Sequence, residues 1–203
     1  MVAAQEQGDV LSDGELFSTC VLLLIAGHET TTNLIGNGVL ALLRHPHELA
    51  RLRREPTLIG SAVEELLRYE SPVQLTSRVA KEDLEMGGKH IQAGEEVSLL
   101  LGAANRDPVR FTDPDRLDLA RSDNPHVAFG YGMHFCLGAT LARIEGQVAI
   151  HSLPQRFADL RLMNDAPEWR EGVMLRGLKQ LPLRVQQPSR SSHRAPAAQP
   201  SSL

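Results

Sequence analysis

One stretch limits the possible folds of this chain more than any other: Phe129-Gly-Tyr-Gly-Met-His-Phe-Cys136-Leu-Gly138, a glycine-punctuated loop that runs into a helical pattern. It carries one of the chain's two cysteines. Gly130 and Gly138 permit backbone conformations closed to other residues, or a close approach to a ligand. A helix is expected over roughly residues 138–151, so Cys136 meets the N-terminal end of that helix. The unpaired amides and dipole there favour the thiolate, the form of cysteine that binds metals. Phe129 and Phe135 are placed to shield the sulfur from water and leave one coordination direction open.

A buried structural cysteine beside a turn is the ordinary reading of a lone thiol, and the neighbouring residues decide against it. A closed zinc site needs four ligands at short spacings, and here only His134 lies near Cys136. A single thiolate on a glycine-rich loop suits the axial ligand of haem iron, where sulfur donates electron density and favours oxygen-oxygen cleavage.

A second unusual stretch lies inside a long helix expected over residues 12–44. Ser12 and Glu15 have the spacing of a capping box, and His45-Pro46 supplies the stop. Ala26-Gly-His-Glu-Thr-Thr-Thr-Asn33 puts an acid, hydroxyls and a glycine into an otherwise apolar run, although glycine there costs about 1 kcal/mol relative to alanine. A solvent-facing turn of the helix is one explanation. Helical spacing offers another: Leu23, Ala26 or Gly27, Thr30 and Leu34 share a face, and Gly27 leaves room for a flat cofactor. Glu29 and Thr30 are then positioned to hand protons to a ligand on iron.

Taken together, the loop, followed by Ala139-Thr-Leu-Ala-Arg143, resembles the haem-binding signature of the haem-thiolate monooxygenases, the cytochrome P-450 family. The resemblance implies a mainly α fold with small β-sheets (α+β), of which this chain is the C-terminal half. It implies haem b held by Cys136, with Phe129, Gly130, Gly138, Ala26 and Gly27 around the cofactor. Ala-Gly-x-Glu-Thr is similar to the family's oxygen-activation motif, which gives Glu29 and Thr30 the catalytic roles. The family places an arginine and a histidine against the haem propionates, which implies Arg78 and His134. Glu65-Leu-Leu-Arg68 resembles the family's Glu-x-x-Arg motif, whose buried charge network takes a second arginine, assigned here to Arg116. Val73, Gln74, Leu75 and Thr76 correspond to a segment that lines the substrate pocket. Arg143 corresponds to a surface that receives electrons from a ferredoxin or flavodoxin-type donor. The implied reaction inserts one oxygen atom from dioxygen into a small apolar organic substrate, a natural-product intermediate in many bacterial members. The alternative is a truncated remnant or interaction fragment that keeps the motifs and does not assemble haem alone.

Composition narrows the partners. The 203 residues carry a formal net charge of −4, which argues against a general nucleic-acid binder. The apolar residues near Val21 stop at His28, too soon for a membrane span. Residues 1–10 hold no apolar core of a secretory signal, and the two unlike cysteines fit a reducing compartment, so a cytoplasmic location is expected. Further expectations are helices over 46–54 and 60–69, with the arginines of the first on a solvated face. Strands are expected over 73–80, 84–91 with a Gly87-Gly88 turn, 97–101, 160–162 and 183–185. Pro154 is expected to end the helix after Cys136, and 172–174 to form a turn near substrate. The haem-binding half-domain is expected over 1–187, with an unpacked tail over 188–203, where serine, proline and alanine dominate.

Overall fold

The computed structural model describes residues 11–157 and 159–186. The tail expected beyond residue 187 lies outside the described residues.

The long helix, α1, spans Asp13–Arg44. The Ser12 hydroxyl accepts from the Glu15 amide at 3.4 Å, and the Ser12 amide donates to the Glu15 carboxylate at 2.9 Å, which satisfies two helix-end donors. Proline then opens α2 (Pro46–Arg54), where its missing N–H costs nothing. Helix α3 (Ile59–Tyr69) buries Val63 and Leu66 on one side and Glu65 and Arg68 on another. Helix α5 (Ala139–Arg156) follows the cysteine loop and crosses both α1 and α3.

These three helices meet without spacer side chains. A Cβ on Gly146 of α5 would stand 3.0 Å from Leu34 of α1, and one on Gly38 would stand 3.1 Å from Ile150. Leu34, Val63, Leu66 and Ile150 fill that junction and are essentially inaccessible to solvent. The contrast along α1 is sharp. Its C-terminal half is core, whereas Phe17, Leu22, Leu24 and Ile25 at its N-terminal half are exposed, the kind of apolar patch that marks an interaction surface.

Three antiparallel strand pairs flank the helices. β1 (Thr76–Val79) pairs with β4 (Glu96–Leu99), setting Arg78 opposite Val97. β2 (Leu84–Met86) and β3 (Lys89–Ile91) form a hairpin across Gly87 and Gly88, both at positive φ. A four-residue helix, α4 (Leu101–Ala104), follows β4. β5 (Asp159–Leu162) and β6 (Leu183–Gln186) pair late in the chain. The expected strand over 73–80 is shorter than its alternation suggested. Val73 makes only an isolated bridge to Leu175, and ladder pairing starts at Thr76. Pro154 does not end α5. It sits in the last turn, and the helix closes after Arg156, where the Phe157 amide bonds the Leu153 carbonyl at 3.1 Å. Among the described residues no helix is long and apolar enough to cross a membrane.

Candidate functional site

The cysteine loop is shaped by its own backbone. Gly130 and Gly132 take φ of 74° and 71°, and the Cys136 amide closes the loop on the Phe129 carbonyl at 2.9 Å. Cys136 is thereby held just before α5 with its thiol free and exposed. Phe129 packs against Phe135 at a centroid distance of 6.2 Å. Phe135 is itself half exposed, so the shielding expected of it is incomplete in this chain.

Across from the loop stands α1. Leu23, Ala26, Gly27 and Thr30 form one wall of a mainly apolar cavity of about 800 Å³, and Phe129, Gly130, Cys136 and Gly138 form the other. Arg78 and His134 border the same cavity. Helical spacing had placed Leu23, Ala26, Gly27, Thr30 and Leu34 on a shared face, and all of them border this space. The Thr30 hydroxyl donates to the Ala26 carbonyl at 2.7 Å, a bond it makes within its own helix.

Other expected residues are arranged differently. Glu29 does not border the cavity, and its carboxylate accepts from Arg170 at 3.1 Å. Val73 and Thr76 border the cavity, but Gln74 and Leu75 do not. The Gln74 side chain turns back to the Ser71 carbonyl, 2.6 Å away, and lies over Gly102, where no side chain blocks it.

The charge network beneath the loop is complete. Glu65 and Arg68, both with fully buried side chains, form a bidentate pair at 2.8 and 2.9 Å. The second arginine is Arg121, not Arg116. Its Nε lies 3.1 and 3.2 Å from the two Glu65 oxygens. The Arg116 side chain is 66% exposed, and that residue contributes only its carbonyl, which accepts from Arg68 and Arg121. The reason lies in alternation. Leu117 and Leu119 turn inward to the core, which forces Arg116 outward, and the turn closed by the Arg121 amide on Asp118 brings the chain back.

Two features of this region carry no sequence expectation. Asn105, fully buried, accepts from the Val127 amide and donates to Ser71, each at 2.8 Å, so it ties the start of the cysteine loop to the end of α3. Glu64 accepts from Arg143 at 2.7 and 2.9 Å and from His126 at 3.1 Å. Burial pushes the Glu64 carboxyl up, but hydrogen bonds from His126 and Arg143 and the Arg143 charge outweigh it and hold it down at about 2. Arg143, the expected electron-donor contact, therefore has its guanidinium engaged.

A family model described as Cytochrome P450 matches residues 1–174. The chain belongs to the cytochrome P450 family. It is 54% identical over 183 residues to the biotin biosynthesis cytochrome P450 of Bacillus subtilis, covering 90% of this chain and 46% of that one. The structure of P450BioI in complex with a hexadec-9Z-enoic acid ligated acyl carrier protein superposes with a TM-score of 0.83 at 55% identity, covering 89% of this chain and 47% of that one. The tirandamycin C-bound P450 monooxygenase TamI superposes with a TM-score of 0.87 at 47% identity, covering 91% and 47%. The chain thus spans about half the length of the P450 relatives it matches.

The residues fit the haem that the P450 family implies. A Cβ on Gly27 would meet nothing within 4 Å, so the α1 wall leaves open room above its backbone. The sulfur opens onto an apolar cavity of ligand size, with Arg78 and His134 among the polar side chains at its border. Among the described residues no group of three or more His, Cys, Asp or Glu is assembled to hold a metal ion, and Cys136 borders the cavity as an unpaired thiol.

Proposed function

We propose that this chain is the haem-carrying half of a bacterial-type P450 monooxygenase, with Cys136 as the thiolate ligand. One observation carries the reading: Cys136 and Thr30 face each other across a single apolar cavity. A thiolate-ligated haem supplies oxygen-oxygen bond cleavage when bound there. The chain's own residues do the rest. Arg78 and His134 balance the cofactor's two carboxylates, and charge-assisted hydrogen bonds to them fix its orientation. Thr30 holds a proton in its bond to the Ala26 carbonyl, and releasing that bond frees the hydroxyl to donate into the cavity. Glu29 lies off the cavity, where it pairs with Arg170. Leu23, Ala26 and Val73 give the cavity its apolar lining near Thr30.

The substrate is a small, largely apolar organic molecule. Relatives at 48% and 45% identity are named PikC monooxygenase of Streptomyces venezuelae and 6-deoxyerythronolide B hydroxylase of Saccharopolyspora erythraea, which supports a natural-product intermediate. Val73 and Thr76 are the chain's contribution to the pocket wall. Electrons come from a ferredoxin or flavodoxin-type donor. The exposed apolar face at the start of α1 favours a second reading, in which the fragment does not assemble haem unless a complementary half covers that face.

Both readings are separated by assaying the haem-loaded chain, alone and with the N-terminal half of a full-length relative supplied in trans, with reductant and dioxygen. Thr30→Ala is expected to keep haem while lowering product formed per dioxygen consumed by roughly tenfold or more, because it removes the positioned donor. Product without coupling loss in Thr30→Ala would count against the relay. Oxygen transfer seen only with the complementary half would favour the second reading, and transfer absent from both preparations would overturn the monooxygenase reading in favour of a non-catalytic remnant.

A further inference from the structure

Glu64 and Glu65 are neighbours on α3 and have divided the work. Glu65 holds residues 105–124 through Arg68 and Arg121, whereas Glu64 holds the two flanks of the cysteine loop, His126 before it and Arg143 after it. His126 is almost fully buried, and its Nδ1 accepts from the Ala128 amide at 3.2 Å. Its proton is therefore on Nε2, which donates to Glu64 at 3.1 Å. The Arg143 guanidinium lies over the Phe129 ring, 4.6 Å from its centroid. Phe129 in turn offers the carbonyl that receives the Cys136 amide. A continuous path of contacts thus runs from Glu64 through Arg143 and Phe129 to the residue that bears the sulfur.

We propose that Glu64, His126 and Arg143 form a charge-balanced clamp behind Cys136, in which Arg143 is a positioning residue and Glu64 sets how much of its positive charge the sulfur experiences. The clamp gives Arg143 a use other than donor docking. Its fork is spent on a carboxylate in bidentate geometry and its plane on an aromatic ring, the two contacts for which lysine is a poor substitute. Glu64 first, and the Cys136 side chain after it, favour the charged form of Arg143. The importance of this charge for the iron rests on the reading of Cys136 as ligand, but its presence at the sulfur does not.

The test uses the 203-residue chain and needs no cofactor. Rates of alkylation of Cys136 by iodoacetate, an anion, and by iodoacetamide, which is neutral, are followed by peptide mass spectrometry, so Cys20 is counted separately. Their ratio reports the local potential. Glu64→Gln frees the positive charge and should raise the ratio by about twofold or more, and Arg143→Gln should lower it by a similar factor. The double variant should return near the parent. Arg143→Lys keeps the charge without the fork and should leave the ratio near the parent even if the loop loosens. Loosening alone would change both rates together and not their ratio. Shifts of the same sign in the two single variants, or an unchanged ratio in both, would overturn the clamp. Should the ratio respond as stated while the haem spectrum ignores Cys136→Ala, the ligand assignment fails and the clamp stands. The opposite pattern removes the clamp and leaves the ligand.

Discussion

Glu65→Ala should destabilise the chain by about 3–5 kcal/mol, a large share of the roughly 5–15 kcal/mol that holds a typical domain folded. The carboxylate is fully buried and receives five hydrogen-bonding partners' worth of donors from four groups: Arg68, Arg121, the Asp118 amide and Asn124. Its loss strands two guanidinium groups. Arg68 would keep the carbonyls of Asn105, Pro114 and Arg116, but no anion would offset its buried charge. Arg116→Ala should cost far less, within about 0.5 kcal/mol, because only its backbone takes part. Denaturant unfolding of the two variants side by side makes the comparison. Equal losses would mean that the network does not close through Arg121.

Asn105→Ala is the second large effect, expected at about 2–4 kcal/mol from a buried amide left without an acceptor, a lost donor to Ser71 and the cavity behind them. The more telling result concerns place. The Val127 carbonyl accepts from Gly130, so releasing the Val127 amide loosens the entry to the cysteine loop. Amide hydrogen exchange over residues 127–138 should accelerate more than exchange in α3. Uniform acceleration would mean that Asn105 stabilises the fold generally and has no particular hold on the loop.

Much of this arrangement could be read from residues in order, because local chemistry decides it. Ser12 with Glu15 caps α1, Pro46 starts α2, Gly87-Gly88 turns a hairpin, and a helix follows Cys136 directly after Gly138. What escaped the sequence depends on where the chain returns. Arg116 and Arg121 are equivalent on paper, and only the inward packing of Leu117 and Leu119 tells them apart, a signal present in their alternation. Gln74 and Leu75 lie in a segment whose ends border the cavity, yet contacts with Ser71 and Gly102 draw Gln74 elsewhere. Glu29 belongs beside Thr30 in sequence but not in space, since the partner that fixes it, Arg170, is far along the chain. Asn105 and Glu64 are ordinary polar residues until the loop they hold is folded over them. Pro154 misled in the other direction: although it removes one donor from the ladder, the helix runs two residues past it and closes with the Phe157 amide on the Leu153 carbonyl.

Whether Cys136 delivers a thiolate to haem across from Thr30 is decided by one optical spectrum. The haem-loaded protein, with and without a complementary N-terminal half, is reduced and exposed to carbon monoxide. A strongly red-shifted Soret band that disappears in Cys136→Ala is the result expected. A histidine-type spectrum in both preparations, or a red-shifted band that survives Cys136→Ala, would contradict it.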